Sequence, residues 1–108
     1  MYEIVFSNEF LHGPLWVYAA DGIATTHFDL VLNDPVLKRL NKEAAGIFDS
    51  CYEFTDWSEP CIFHRERLVL QKNEMLSLIS AMKERLNEIN DGSFIVKEDY
   101  VSDYLMKL

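Results

Sequence analysis

The chain has 108 residues, of which 18 are acidic and 10 are lysine or arginine, so its formal net charge at pH 7 is -8. Together with a hydrophobic content of 49%, these totals predict one folded domain over residues 1–108 and exclude a disordered chain. The excess of acid opposes binding to nucleic acid or anionic lipid and favours a basic protein partner. Two cysteines and a start without a basic leader segment lead us to expect a cytoplasmic protein.

The first part of the chain has the pattern of strands. Tyr2 to Phe6 and Leu15 to Ala19 are short runs rich in β-branched and aromatic residues. Asp21-Gly22 is a strong hairpin signal, and it predicts that Ile23 to Leu32 returns as a third strand. The more apolar side of that strand, which we expect to face the core, carries Ala24, Thr26, Phe28 and Leu30.

A helical period begins at Pro35. Asp34 suits the N-cap, and Pro35 suits the first helical position because its missing N–H is not needed there. We predict a helix from Pro35 to about Tyr52. Apolar residues recur along it at helical spacing, namely Leu37, Leu40, Ala44, Ile47, Phe48 and Cys51.

A second, longer helix is predicted from about Arg65 to Asn90, after a short extended piece at Cys61 to Phe63. Its apolar residues form a seam typical of helix packing. The seam consists of Met75, Ile79, Met82, Leu86 and Ile89, and it is widened by Leu68, Leu76 and Leu78. Asn90-Asp91-Gly92 predicts the end of this helix, with Gly92 at the left-handed C′ position.

The remaining residues predict a last strand, followed by either a short helix or a frayed tail. Ser93 to Val96 suits the strand, and Asp99 to Leu108 suits the helix. In that helix Tyr100, Tyr104 and Leu105 would point inward. The element order is then β-β-β-α-α-β. We expect an α+β fold in which a small antiparallel sheet of about four strands packs against two long antiparallel helices.

Motifs for catalysis or metal binding are sparse. Cys61 and His64 have C-x-x-H spacing and Cys51 precedes them, but the paired C-x-x-C of structural zinc sites is absent, so buried thiols are the favoured interpretation. His12 and His27 could pair with carboxylates, yet no spacing fixes such a pair and no catalytic motif occurs. We therefore predict no metal, no cofactor and no enzymatic activity. Acids also interrupt the short basic run at the start of the second long helix, which disfavours nucleic-acid binding.

The segment from Tyr52 to Glu59 is the best candidate for a binding surface. It alternates aromatic side chains, which anchor interfaces, with acids, which steer and orient a partner. The alternative is a plain loop whose aromatics close the core, but Trp57 favours an interface because a tryptophan between two acids needs a partner surface or a pocket. A second acidic cluster follows the last predicted strand. The expected contact residues of both stretches are Asp49, Glu53, Asp56, Trp57, Glu59, Glu98, Asp99 and Asp103.

Three stretches of the chain carry a family resemblance. They are residues 33–35 with 40–41, residues 48–54 and residues 85–94, within about the last three quarters of the sequence. In these stretches the chain resembles the small acidic immunity proteins encoded beside polymorphic bacterial toxins, including those of contact-dependent growth inhibition systems. The matching residues are helix and capping sequence, so the resemblance assigns no residue a role.

The resemblance implies a cytosolic inhibitor that binds one toxin domain, in many cases a nuclease with a basic active site. Our leading hypothesis is therefore an immunity or antitoxin-type inhibitor that excludes the toxin's substrate. One alternative is a phage-type inhibitor that mimics nucleic acid against a host defence enzyme. Another is an enzyme or ligand-binding domain whose site has no recognisable motif.

Overall fold

The computed structural model of the chain describes residues 1–54 and 61–108 and shows an α+β fold, as predicted. Within these ranges short strands alternate with helices of very different length. In chain order the elements are β1 (Tyr2–Phe6), β2 (Leu15–Tyr18), α1 (Asp29–Leu32), α2 (Pro35–Asp49), β3 (Tyr52–Glu53), β4 (Ile62–Phe63), α3 (Arg65–Leu70), α4 (Lys72–Ile89), β5 (Phe94–Asp99) and α5 (Tyr100–Met106).

The main sheet has the order β2-β1-β5 and is mixed, which corrects the expectation of an antiparallel sheet of about four strands. β1 is the central strand: it pairs antiparallel with β2, with Val5 opposite Trp16, and parallel with β5, with Ile4 opposite Val96. A parallel neighbour needs a long crossover, and the helices between β1 and β5 supply it. β3 and β4 form a separate antiparallel pair.

The predicted third strand, Ile23 to Leu32, is wrong over most of its length. Only Ala24 forms an isolated bridge, to Tyr18, and the chain then turns into the short helix α1. Phe28 and Val31 are buried, whereas Ala24 lies exposed. Buried residues three apart fit a helical turn, so the alternating pattern that suggested a strand was coincidental in this segment.

The predicted start of α2 is confirmed. The carboxylate of Asp34 accepts a hydrogen bond from the Leu37 N–H at 3.0 Å, and Pro35 opens the helix. All six apolar residues predicted for its inward stripe are buried. The helix ends at Asp49 and not at Tyr52, because Tyr52 leaves the helix to pair with Phe63.

The predicted long helix is divided into two. Gln71, with φ −107° and ψ 11°, separates α3 from α4. The seam itself is confirmed, since its first four members and Leu68 are buried and Ile89 is partly buried against them. Gly92 has the expected positive φ of 91°, but it lies two residues after the C-cap Asn90, whose side-chain oxygen accepts the Gly92 N–H.

The end of the chain forms β5 and α5, so the frayed tail is ruled out. β5 runs to Asp99, three residues beyond the predicted end, and α5 follows at once. Leu105 points inward as predicted, together with Val101, but Tyr100 and Tyr104 are 54% and 42% exposed. α4 packs against both α2 and α5. None of the helices in the described ranges has the length and apolar character needed to cross a bilayer.

Candidate interaction site

A cleft of about 320 Å³ opens where the loop after β1, the β3–β4 pair and α5 meet. Five of its lining residues are aromatic. We call it the aromatic cleft, and it is lined by Ser7, Asn8, Phe48, Tyr52, Phe63, Tyr100, Val101 and Tyr104.

One wall of the aromatic cleft is built by the end of α2 and the strand pair that follows it. Tyr52 lies opposite Phe63 in the register, and their ring centroids are 5.0 Å apart. Phe48 contacts both rings, each at 5.5 Å. Burial raises the pKa of the Tyr52 phenol, and neighbouring acidic groups add to the shift, so this hydroxyl is neutral at physiological pH.

The second wall is the loop from Ser7 to Pro14, and Asp49 holds its tip. The Leu11 N–H donates a hydrogen bond to the Asp49 carboxylate at 3.1 Å. Leu11 has a φ of 65°, which is rare for a branched residue, and its side chain is 78% exposed. The preceding Phe10 packs on Tyr52 and Phe54. The loop therefore displays an apolar side chain in a conformation that the surrounding contacts must maintain.

The base of the same loop is fixed by polar contacts. The Trp16 indole N–H donates to the Ser7 carbonyl at 2.9 Å, and the His12 ring stacks on the indole at 3.7 Å. Asn41 of α2 accepts the Leu15 N–H and donates to the His12 carbonyl. Trp16 lies in β2 but is only partly buried, and it supports the loop.

The third wall is α5, which Asp99 positions. The Asp99 carboxylate accepts the Ser102 N–H at 2.9 Å, as an N-cap, and forms an ion pair with Lys83 of α4. Burial favours a higher pKa for this carboxyl, but the bonds from Lys83 and Ser102 outweigh that effect and lower the pKa. Asp99, predicted as a contact residue, therefore has a structural role: it holds α5 so that Tyr100 and Tyr104 line the aromatic cleft.

Glu53 is also engaged within the chain. Its carboxylate lies 2.6 Å from His64 Nε2 and 3.7 Å from an Arg67 nitrogen. The other His64 nitrogen, Nδ1, lies 2.9 Å from the Glu66 carboxylate. These contacts are at the surface, so each contributes little stability and leaves the acid open to an incoming basic group.

The remaining predicted contact residues divide into two groups. Glu98 and Asp103 are exposed. Asp56, Trp57 and Glu59 lie outside the residues that the structure describes. Tyr52, which begins the first predicted stretch, and Tyr104, which follows Asp103 of the second, line the same cleft.

The described lining of the aromatic cleft carries no charged residue, but on each wall an acid is the sequence neighbour of a lining residue. Glu9 follows Asn8, Glu53 follows Tyr52, and Asp103 precedes Tyr104. All three of these acids are exposed. The centre of the site is uncharged and aromatic, and we call these three exposed sequence neighbours of its lining the rim acids.

The sequence pointed to the acids but missed the loop wall. Nothing in the local pattern distinguishes Asn8 or Leu11 from ordinary loop residues. The one available signal was the spacing of Tyr100 and Tyr104, four apart and therefore on one helix face, but it was interpreted as a core stripe.

Neither the two cysteines nor comparisons with known proteins indicate a further site. Cys51 is buried, which raises the pKa of its thiol, and Cys61 is exposed. In residues 1–54 and 61–108 no three His, Cys, Asp or Glu side chains are grouped as metal ligands. Comparison with protein-family models, with curated proteins and with solved structures found no match.

Proposed function

We propose that this chain is an immunity or antitoxin-type inhibitor that acts in the cytoplasm and neutralises a basic toxin domain, in our favoured case a nuclease. The observation that carries the proposal is the arrangement of charge around the aromatic cleft. On each wall an exposed acid is the sequence neighbour of a residue that lines an uncharged, aromatic centre. This is the arrangement of a protein interface, with an apolar centre and a polar rim.

The two parts of the site would contribute differently to binding. The net charge of -8 and the rim acids attract a basic surface over distances of about 10 Å and speed association. The aromatic rings exclude water once the partner is in place, and they slow dissociation. A nuclease active site is basic because it binds phosphate, so a bound acidic protein would block the substrate's path.

The proposal is tested by co-expression with the product of the adjacent gene, which it predicts to contain a toxin domain. We expect the chain to restore growth and to co-purify with the domain as a stable complex. Tyr104→Ala should weaken both effects. The control is Leu70→Ala, which removes an exposed apolar side chain at the end of α3 that is not part of the cleft lining.

Two outcomes would contradict this proposal in different ways. If the chain neither protects cells nor binds the domain, the inhibitor proposal is wrong. If it protects and binds but Tyr104→Ala behaves like Leu70→Ala, the function stands while the aromatic cleft is not the interface.

A further inference from the structure

The wall of the aromatic cleft contains a hydrogen-bond acceptor without a donor. The side-chain oxygen Oδ1 of Asn8 is buried and accepts no hydrogen bond from any residue in the described ranges. A buried acceptor left in this state costs about 1–3 kcal/mol. Such groups in folded proteins are usually satisfied by a water, an ion or a binding partner. Asn8 therefore points to a donor that enters the cleft from outside.

The aromatic rings around Asn8 indicate which kind of donor would bind there. Tyr52, Tyr100 and Tyr104 line the same space. The face of a tyrosine ring attracts a cation electrostatically, and more strongly when water is excluded. With rim acids beside each wall, the described part of the cleft suits a positively charged occupant.

We propose that the aromatic cleft binds the guanidinium group of an arginine side chain on the partner protein. The guanidinium plane would stack on a tyrosine ring, and one of its N–H groups would donate to Asn8 Oδ1. The last torsion of an asparagine side chain is broad, so the amide can turn to meet a donor in the cleft. This inference rests on the proposed function for the partner's identity, but its chemistry is tested without the partner.

Arginine fits the observations better than the other candidates. A lysine ammonium is compact and strongly hydrated, so it loses more on entering an apolar cleft. An indole could donate to Asn8, but it has one N–H and no charge to match the surrounding acids. Guanidinium combines a flat, weakly hydrated surface for stacking with five N–H donors in a fixed plane.

The probe for the test is Nα-acetyl-arginine methylamide, and its control is the citrulline analogue, which has the same shape but no charge. Both are titrated into the isotope-labelled full chain and followed by NMR. We expect the arginine compound to shift the Asn8 side-chain amide and the Val101 methyl signals. The citrulline compound should bind at least about fivefold more weakly, because it lacks the cation–π attraction.

Three variants locate the interaction. Tyr104→Phe keeps the ring and should bind the arginine compound nearly as well as the unaltered chain, whereas Tyr104→Leu should bind it several times more weakly. Asn8→Ala should also weaken binding, but its thermal midpoint should stay the same or rise, because the variant removes an acceptor that has no partner. A merely structural role for Asn8 would lower the midpoint. Asn87→Ala, at an exposed position on α4, is the control and should change neither property.

Two results would overturn the proposal. One is equal or tighter binding of the citrulline compound, which would show that charge is irrelevant. The other is the absence of shifts at the cleft up to the solubility limit of the arginine compound. If arginine binds as expected but the chain fails to protect against the neighbouring toxin, the inhibitor function is wrong and the arginine site remains.

Discussion

Arg85 of α4 donates two hydrogen bonds to the buried carboxylate of Asp34, at 2.7 and 3.1 Å, while the same carboxylate caps α2. The Arg85 bonds lower the pKa of Asp34, even though burial acts in the opposite direction. The pKa of Arg85 is raised, first by Asp34 and then by Glu88. One carboxylate thus starts a helix and joins it to its packing partner.

We therefore expect Asp34→Ala to lower the free energy of unfolding by about 1–3 kcal/mol, because it removes a helix cap and a charged pair of hydrogen bonds. Urea unfolding monitored by circular dichroism measures the change. Glu43→Ala is the control, since Glu43 is an exposed acid on the same helix and its replacement should cost no more than about 0.5 kcal/mol. Equal midpoints for the two variants would show that the Asp34–Arg85 pair contributes nothing.

The lowered pKa values of Asp34 and Asp99 predict how stability depends on acid. A carboxyl whose pKa is lower in the folded state stabilises the fold above its unfolded pKa, and that stability is lost as the pH falls through the folded value. We expect a steep loss below about pH 4, where free aspartate protonates. In the Asp34→Asn variant, the thermal midpoint should therefore fall less steeply as the pH is lowered, which thermal melts at a series of pH values would measure. A variant with the same slope as the unaltered chain would contradict the assignment.

Two glycines make a matched pair for testing backbone conformation. Gly92 has a positive φ of 91°, whereas Gly46 lies within the helix α2. At both positions an added Cβ would meet no atom of the described residues. Gly92→Ala should destabilise by about 1 kcal/mol because of its left-handed backbone. Gly46→Ala should stabilise by up to about 1 kcal/mol, since alanine favours helix. If both variants changed the free energy of unfolding in the same direction, the result would be inconsistent with these conformations.

The loop tip offers a test that separates stability from binding. Leu11→Gly should leave the unfolding free energy unchanged or raise it by up to about 1 kcal/mol, because glycine adopts a positive φ without strain. The same change should weaken binding to the toxin domain, because the loop that forms one wall of the cleft loses an exposed apolar side chain. A clear loss of stability would mean that the Leu11 side chain has packing contacts in solution.

The helices were largely predictable from sequence because their signals are local. Asp34 and Pro35 fix the start of α2, and the seam through Ile79 and Leu86 identifies the buried face of α4. The sheet was less predictable, since the parallel pairing of β1 with β5 joins residues some ninety positions apart and leaves no local trace. The segment from Ile23 failed because a few alternating residues fit both a strand and a loop that leads into a helix.

The way in which the candidate site is built could not be predicted from the sequence. Acidic composition indicated the rim, yet Asp99 is engaged in capping α5, which only the tertiary structure reveals. Asp49 likewise holds Leu11 in place across 38 residues of sequence. The residues that form the centre of the cleft come from three distant segments, and their meeting depends on the packing of α5 beside the loop wall.

The measurement that tests the central claim most directly is stopped-flow binding of the neighbouring toxin domain to two variants. In Glu9→Gln/Glu53→Gln/Asp103→Asn the rim charge falls, so the association rate should drop and become less sensitive to salt. In Tyr104→Ala the rim is intact but the cleft has lost a ring, so the dissociation rate should rise by on the order of tenfold with little change in association. If both variants bind and release the domain at the rates of the unaltered chain, the aromatic cleft and its acids are not the binding site.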